Sequence, residues 1–173
     1  LTAAGTPRYL LVPNGYHRLD APAWKARFPG MKVLCPRSAR AKVQEVVAVD
    51  GDYQDLPADA AVQARHLDGT GDGEGVMIVR SGDGASLVFN DVMFNMPHLS
   101  GFTGFVLRHL TQSSGGPRIS RISRLFLIKD RAALRADLLR LAETPDLRRI
   151  LVSHHQTITQ DPAGTLRAVA QMV

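Results

Sequence analysis

Two side chains with the chemistry of metal ligands each follow a short apolar run. Asp91 comes two residues after the run 86–89, and His154 comes two residues after the run 149–152. A rigid strand can present such a side chain to a crevice at its end. A carboxylate and an imidazole together suit zinc, iron or manganese, which activate water for hydrolysis. The alternative is that Asn90 and Asp91 only end the strand or cap the next turn.

Three other histidines lie near the ends of predicted strands, namely His17, His66 and His98. A single histidine is more often a surface or core residue than a ligand. A shared crevice beyond the strand ends favours a joint site, because ligands collect there in layered α/β sheets. We predict Asp91 and His154 as the central pair, and His17, which follows the first strand in the same way, is a candidate for a third metal ligand.

Length and composition indicate one globular domain, 1–173. The chain has 173 residues, of which 45% are hydrophobic, so it can bury a sizeable core. No apolar run approaches the roughly 18 residues that span a bilayer, and we expect no membrane partner. Cys35 is the single cysteine, which excludes an intrachain disulfide and favours a reducing, cytoplasmic location.

The positive charge gives little support to nucleic-acid binding. The formal net charge is +5, and many arginines lie in the segment 118–149. They are mixed with acidic residues and are not interleaved with stacking aromatics, so a solvated helix face is the better interpretation.

The elements that must hold the site alternate in type, which predicts an α/β layered architecture. In the first third, strands at 7–12 and 32–35 alternate with helices at 21–28 and 36–43, and a helix end is predicted over 1–5. A hairpin joins 76–79 to 86–89 through the turn 80–84. The clearest helix is 130–142, which Asp130 should cap. A last strand over 149–152 precedes a final helix that begins at Pro162.

Four segments carry weaker signals. Residues 61–67 predict a strand that leads into a glycine-rich loop, 68–75, which we interpret as a flexible hairpin loop. Residues 101–110 predict a helix weakened by glycine, and 113–117 a flexible link or lid. The run 120–128 fits a helix or a strand equally well.

Five stretches together resemble the metallo-β-lactamase superfamily, namely LLVPNGYHRLD, WKARFPGMKVLCP, GEGVMIV, SLVFNDVMFN and RILVSHHQTI. More narrowly, they resemble a divergent bacterial branch with a Pro-Asn-x-x-His stretch in place of the histidine motif. The resemblance covers nearly the whole chain. It implies an αββα sandwich, with a leading segment of strands and a helix that precedes Leu1 or is missing. An exposed sheet edge would then allow a homodimer.

The resemblance implies a depleted ligand set. Where the family has His-x-His-x-Asp-His, this sequence has Asn14, Tyr16, Arg18 and Leu19 at the ligand positions. The family's bridging aspartate matches Asp91 and its final histidine matches His154, with His155 where glycine is usual. Glu74 is the nearest substitute for the next family histidine.

Two functions follow from this comparison. In the first, the metal-binding site has been lost, Asp91 and His154 form a hydrogen-bonded pair, and the domain is non-catalytic. It then binds a small molecule in a pocket to which Asn14, Tyr16, Glu74, His98 and His155 are assigned, and it has no cofactor. In the alternative, a rearranged single-metal site with Asp91 and His154 as catalytic residues hydrolyses an ester, lactone, thioester or phosphoester. His17, Glu74 and His98 are then the candidates for the further ligands.

Overall fold

The computed structural model describes residues 5–173. The helix end predicted over 1–5 lies outside the described residues, except for Gly5. The strands of the described part are β1 (Tyr9–Leu11), β2 (Lys32–Leu34), β3 (Val62–His66), β4 (Gly75–Ser81), β5 (Gly84–Phe89), β6 (Phe94–Met96), β7 (Gly116–Arg118) and β8 (Leu147–Val152). Its α-helices are α1 (Ala21–Arg27), α2 (Arg40–Gln44), α3 (Gly101–Phe105), α4 (Arg121–Phe126), α5 (Arg131–Ala142) and α6 (Pro162–Ala170).

The strands form one larger sheet and two short ones. The larger sheet has the order β3-β4-β5-β8, in which β5 and β8 are parallel and the other pairs antiparallel. Strands β1 and β2 pair in parallel, and β6 pairs antiparallel with β7. Among residues 5–173, β1 has only β2 as a partner. Pairing of two copies through a free edge of this sheet stays a prediction.

Helices pack on the outer face of each of the two main sheets. The larger core joins β5 and β8 to α5 and α6, and it contains Leu87, Leu134, Ile150 and Leu166. The smaller core joins β2 to α1 and α2 through Val33, Ala21 and Val43. Between the sheets, the Tyr53 hydroxyl donates to the Val12 carbonyl at 3.2 Å. This arrangement is the αββα sandwich that the resemblance implied.

The segment 113–117 is not a flexible lid, so that prediction is wrong. Ser113 and Ser114 are buried, and the Gly115 N–H donates to the Met96 carbonyl at 2.6 Å. The segment then continues into β7, which pairs with β6. Small polar residues are typical of loops. Here, however, the end of the segment satisfies its backbone hydrogen bonds by pairing with β6.

The glycine-rich loop 68–75 is a tightly packed connection, which departs from the expected flexible loop. The Gly69 carbonyl accepts the N–H groups of Lys129 and Asp130 at 2.7 and 3.0 Å. Gly69 has a φ of +82°, and an added Cβ would lie 2.3 Å from the Asp130 carbonyl oxygen. Only glycine fits this approach. The loop is therefore fastened to the start of α5.

The remaining ambiguous segments are helical. Residues 120–128 contain α4, whose N-cap Ser120 accepts a hydrogen bond from the Ser123 N–H. Residues 101–110 form α3 and a π-helical continuation, Val106–Leu110. No helix of the described residues is long and apolar enough to cross a membrane.

Candidate metal centre

The parallel pairing of β5 and β8 brings Asp91 and His154 together. Phe89 and Val152 are partners in this pairing, and each is followed two residues later by a candidate ligand. Because the register is shared, both side chains emerge at the same edge of the sheet. His154 Nε2 lies 2.7 Å from Asp91 Oδ1. The predicted juxtaposition of this pair is present.

His17 reaches the same carboxylate from the other sheet. It lies in the turn after β1, where the Asn14 side-chain oxygen accepts the backbone N–H groups of Tyr16 and His17 at 2.8 and 3.1 Å. This asparagine turn fixes the loop locally. His17 Nε2 then lies 3.0 Å from Asp91 Oδ1.

The three side chains form a compact donor set. One ligand atom each from His17, Asp91 and His154 lies within 4.8 Å of the other two. Both imidazoles approach Oδ1, whereas Oδ2 accepts a hydrogen bond from Asn14 Nδ2 at 2.7 Å. Only this group of three possible ligands was found among residues 5–173. It joins three segments that are far apart in sequence.

The Asp91 carboxylate is held in its charged form. Burial raises its pKa and is the largest single influence, but hydrogen bonds from His154 and Asn14 and the proximity of His17 together lower the pKa below its ordinary value. A charged carboxylate is the form that binds a cation.

Glu74 lies behind the site and does not join the donor set. It is fully buried, its Oε1 accepts the Val92 N–H at 2.8 Å, and its Oε2 accepts from Asn14 Nδ2 at 3.3 Å. Burial raises its pKa to about 8, the charge of Asp91 adds to this effect, and the hydrogen bonds oppose it. Glu74 therefore supports Asn14 instead of replacing a ligand, because its carboxyl is engaged by the backbone beyond Asp91.

An apolar cleft opens beside the donor set. It has a volume of about 500 Å³ and includes Asp91 and Tyr16 in its lining, together with Phe94, Leu107, Ile122, Phe126 and Leu127. Phe94 also stacks on the His154 ring, with centroids 4.4 Å apart and planes inclined by 6°. The cleft can therefore hold the apolar part of a small molecule next to the carboxylate.

The donor chemistry fits a single divalent ion. Two imidazole nitrogens and one carboxylate oxygen are ligands that zinc, iron and manganese accept. Bonds of about 2.0–2.1 Å to zinc separate the donors of a tetrahedral site by about 3.3 Å. The two observed N···O distances, 3.0 and 2.7 Å, are only slightly shorter. The donor types and their mutual proximity, within 4.8 Å, are therefore compatible with one ion.

Two other predicted pocket residues lie apart from the donor set. His98 Nδ1 lies 3.1 Å from Ser114 Oγ. This histidine therefore contacts the segment that connects to β7 and not the donor set. His155 is exposed and has a φ of +85°, a left-handed conformation that favours glycine. This conformation agrees with the resemblance, in which glycine is usual at this position.

Arg18 is paired away from the site. Its guanidinium donates to the Gly15 carbonyl at 2.6 Å and to Glu45 at 2.9 Å. Because Glu45 compensates its charge, Arg18 opposes a cation at the site less than an unpaired arginine would.

Sequence reasoning missed two residues that shape the site. Phe94 stacks on His154, and the Ser123 hydroxyl donates to the Asp91 carbonyl at 2.6 Å. The signal for Phe94 was its place three residues after Asp91. Ser123 had no sequence signal, because its partner lies 32 positions earlier.

Comparison with known proteins supports the fold at low sequence identity. No family model matches the sequence, and no curated protein matches it. A metallo-β-lactamase from Erythrobacter litoralis, solved with β-mercaptoethanol in the active site, matches 100% of this chain and 72% of its own, with a TM-score of 0.61 and 11% identity. The mono-zinc form of the metallo-β-lactamase FIM-1 from Pseudomonas aeruginosa matches 95% and 66%, with a TM-score of 0.54 and 11% identity.

A third solved structure agrees with these two. The metallo-β-lactamase from Pontibacter korlensis matches 95% of this chain and 69% of its own, with a TM-score of 0.57 and 11% identity. The chain thus spans about two thirds of the length of the solved structures that it matches. The layers, the strand-end position of the candidate site and these superpositions agree: the chain has the metallo-β-lactamase fold.

Proposed function

We propose that this chain binds one divalent metal ion through His17, Asp91 and His154. The observation that carries the proposal is the meeting of three ligand atoms, from three separate segments, within 4.8 Å of one another. A catalytic zinc site needs about three protein ligands and an open position. His17 would supply the third ligand, from a position shifted relative to the family motif.

The reaction proposed for this site is hydrolysis of an ester, lactone, thioester or phosphoester. A bound divalent ion acts as a Lewis acid and lowers the pKa of a water molecule to about 7. The Asp91 carboxylate would orient the reacting groups, because Asn14 fixes its Oδ2 while its Oδ1 faces the imidazoles. The apolar walls of the cleft would exclude bulk water and hold an apolar substituent of the substrate.

A second candidate is a metal-free binding domain that uses the same cleft. Its support is the Asp91 carboxylate, which already has Asn14, His17 and His154 as partners at 2.7, 3.0 and 2.7 Å. A carboxylate with three polar partners needs no ion to be satisfied. In this case the three residues form a structural network, and the ligand is a small apolar molecule.

Calorimetric titration with zinc and manganese chlorides, after removal of metal with a chelator, distinguishes the two candidates. We expect one ion per chain, and a large loss of affinity in His17→Gln and Asp91→Asn. His109→Gln is the matched control, because His109 is exposed and contacts Phe105, outside the donor set. Metal-loaded protein should then hydrolyse p-nitrophenyl esters.

Three outcomes would decide against the metal proposal. The first is a stoichiometry near zero for both metals. The second is equal affinity of wild type and His17→Gln, which would remove His17 from the ligand set. The third is esterase activity that chelator treatment does not change, which would separate any hydrolysis from the metal.

A further inference from the structure

Helix α4 presents its apolar side chains outward. The serines at its start, Ser120 and Ser123, are 1% and 2% exposed, whereas Leu125 and Phe126 are 66% and 60% exposed. A helix on the surface of a globular protein normally has the opposite arrangement. The outward residues are spaced as neighbours on one side of the helix, since Arg121, Ile122, Leu125 and Phe126 follow an i, i+1, i+4, i+5 pattern.

The helical segment before α4 also exposes apolar side chains. Phe102 is 82% exposed, and Phe105 and Leu110 are each 55% exposed. The Arg121 N–H donates to the Thr111 carbonyl at 2.7 Å, which joins the end of the π-helical segment to the start of α4. We call this surface the apolar–basic face and define it by Phe102, Phe105, Arg108, Leu110, Arg121, Ile122, Leu125 and Phe126.

The charge of this region is strongly one-sided. Between Val92 and Lys129 the chain has five Arg or Lys residues and no Asp or Glu. The net charge of the whole chain is also +5. The positive and negative charges of the remaining residues therefore cancel. Among the described residues, none of these five cations forms an ion pair with a carboxylate.

We propose that the apolar–basic face docks on an anionic lipid bilayer. Exposed aromatic and aliphatic side chains beside arginines are the composition of segments that lie in a membrane interface. A second copy of the chain is a poorer occupant, because two such faces would repel each other by charge. The expectation of no membrane partner rested on the lack of a spanning segment, and a peripheral contact needs none.

The face is continuous with the cleft beside Asp91. Ile122 and Phe126 belong to the apolar–basic face and also line the cleft. Docking would therefore place the mouth of the cleft at the lipid surface, where an apolar group could enter without crossing water. The docking proposal does not depend on metal binding, because none of the three candidate ligands is part of the face.

Co-sedimentation of the full chain with lipid vesicles tests the proposal. We expect binding to vesicles of phosphatidylcholine mixed with phosphatidylglycerol, little binding to phosphatidylcholine alone, and weaker binding as salt is raised. Arg108→Gln and Arg121→Gln should each weaken binding about fivefold. Phe102→Ser should weaken binding about tenfold or more, because a buried phenyl group is lost from the interface.

Matched controls separate docking from folding and from metal binding. Leu139→Ser and Arg131→Gln change an exposed leucine and an exposed arginine on α5, and neither should alter vesicle binding. Circular dichroism should show that all variants are folded. Phe102→Ser should titrate zinc as wild type does, so failure of docking can be told apart from failure of the metal proposal.

Several results would overturn the docking proposal. Equal binding to neutral and anionic vesicles would remove the role of charge. Vesicle binding that survives Phe102→Ser would remove the apolar contact. A dimer in solution that Phe102→Ser dissociates would assign the face to a second copy, and binding of an acidic peptide without vesicle binding would assign it to a protein.

Discussion

At the scale of single residues, Asn14 organises the candidate site, although the resemblance aligns it with a ligand position of the family motif. Its oxygen accepts the N–H groups of Tyr16 and His17, and its amide nitrogen donates to Asp91 and Glu74. It is 1% exposed. One amide therefore fixes the turn that presents His17 and also the carboxylate that His17 meets.

The first prediction concerns replacement of this asparagine. Asn14→Leu should lower the free energy of unfolding by about 1–3 kcal/mol, because buried acceptors on Asp91 and Glu74 lose their donor. It should also weaken zinc binding, since the His17 turn loses its cap. Urea unfolding and zinc titration measure the two effects.

A suitable control is Asn95→Ala, which removes a hydrogen bond to the Gln156 carbonyl at an exposed position. Its effect on stability should be smaller. If Asn14→Leu were as stable as wild type, the buried network would not contribute to folding.

The second prediction concerns Glu74 and pH. Its pKa rises from 4.5 in the unfolded chain to about 8 in the folded protein, mainly because it is buried. Between these two values the folded state keeps a proton that the unfolded state has released. The free energy of unfolding should therefore fall as pH rises from about 4.5 to 8, by up to about 1.4 kcal/mol per pH unit.

Glu74→Gln should remove this part of the pH dependence, because glutamine does not titrate. Chemical unfolding of both proteins at intervals from pH 5 to pH 9 measures the difference between them. A constant difference across this range would show that Glu74 does not change its protonation on unfolding.

At this scale the sequence predicted which candidate ligands would meet better than it predicted the residues that support them. Asp91 and His154 were found because each follows an apolar run at the same spacing, and His17 because it follows the first strand. Glu74 was misplaced as a ligand, because its burial depends on Asn14, which is 60 positions away. Sequence periodicity does not report such long-range partners.

At the scale of elements, an ion pair fastens α5 to the larger sheet. Asp137 on α5 is fully buried and accepts two hydrogen bonds from Arg65 on β3, at 2.7 and 2.8 Å. It also accepts the Asp68 N–H at 2.9 Å. Burial alone would raise the pKa of Asp137, but these donors and the Arg65 charge lower it.

The third prediction is that Asp137→Ala lowers the free energy of unfolding by about 3 kcal/mol. A buried backbone N–H and a guanidinium would both lose their partner. Glu143→Ala, which breaks an exposed pair with Arg167, should have little effect. Thermal and urea unfolding of both variants make the comparison, and equal losses would show that α5 is held by apolar packing alone.

A helix or strand was predictable where a periodic apolar pattern began at a clear capping or turn residue. Helix α5 was located because its apolar stripe follows the N-cap Asp130, which accepts the Ala133 N–H at 3.0 Å. Helix α4 was ambiguous because its apolar residues face outward, so its pattern did not describe a core-facing helix. The segment 113–117 was mistaken for a lid because pairing with β6 outweighs its local composition.

At the scale of the whole molecule, the candidate site depends on two cores that fold around different sheets. His17 follows β1 and belongs to the smaller layer, whereas Asp91 and His154 follow β5 and β8 of the larger sheet. The resemblance predicted this sandwich, but local patterns did not show which faces of the sheets meet. An ion held by all three residues would therefore join the two halves of the sandwich.

The fourth prediction follows from this bridging position. A ligand that binds only the folded state stabilises it by about 2.7 kcal/mol at a free concentration of 100 times its Kd. For a chain of this size that corresponds to a rise in Tm of roughly 5–10 °C. Thermal unfolding across a zinc series should show this rise, and a chelator should reverse it.

Asp91→Asn should abolish the rise in Tm, because the amide removes the only charged ligand of the set. His109→Gln should keep the rise, since this exposed histidine lies outside the set. A rise that persists in Asp91→Asn would place the zinc elsewhere on the chain. If zinc left the Tm of wild type unchanged, the three side chains would join the sheets through their own hydrogen bonds, as in the metal-free candidate.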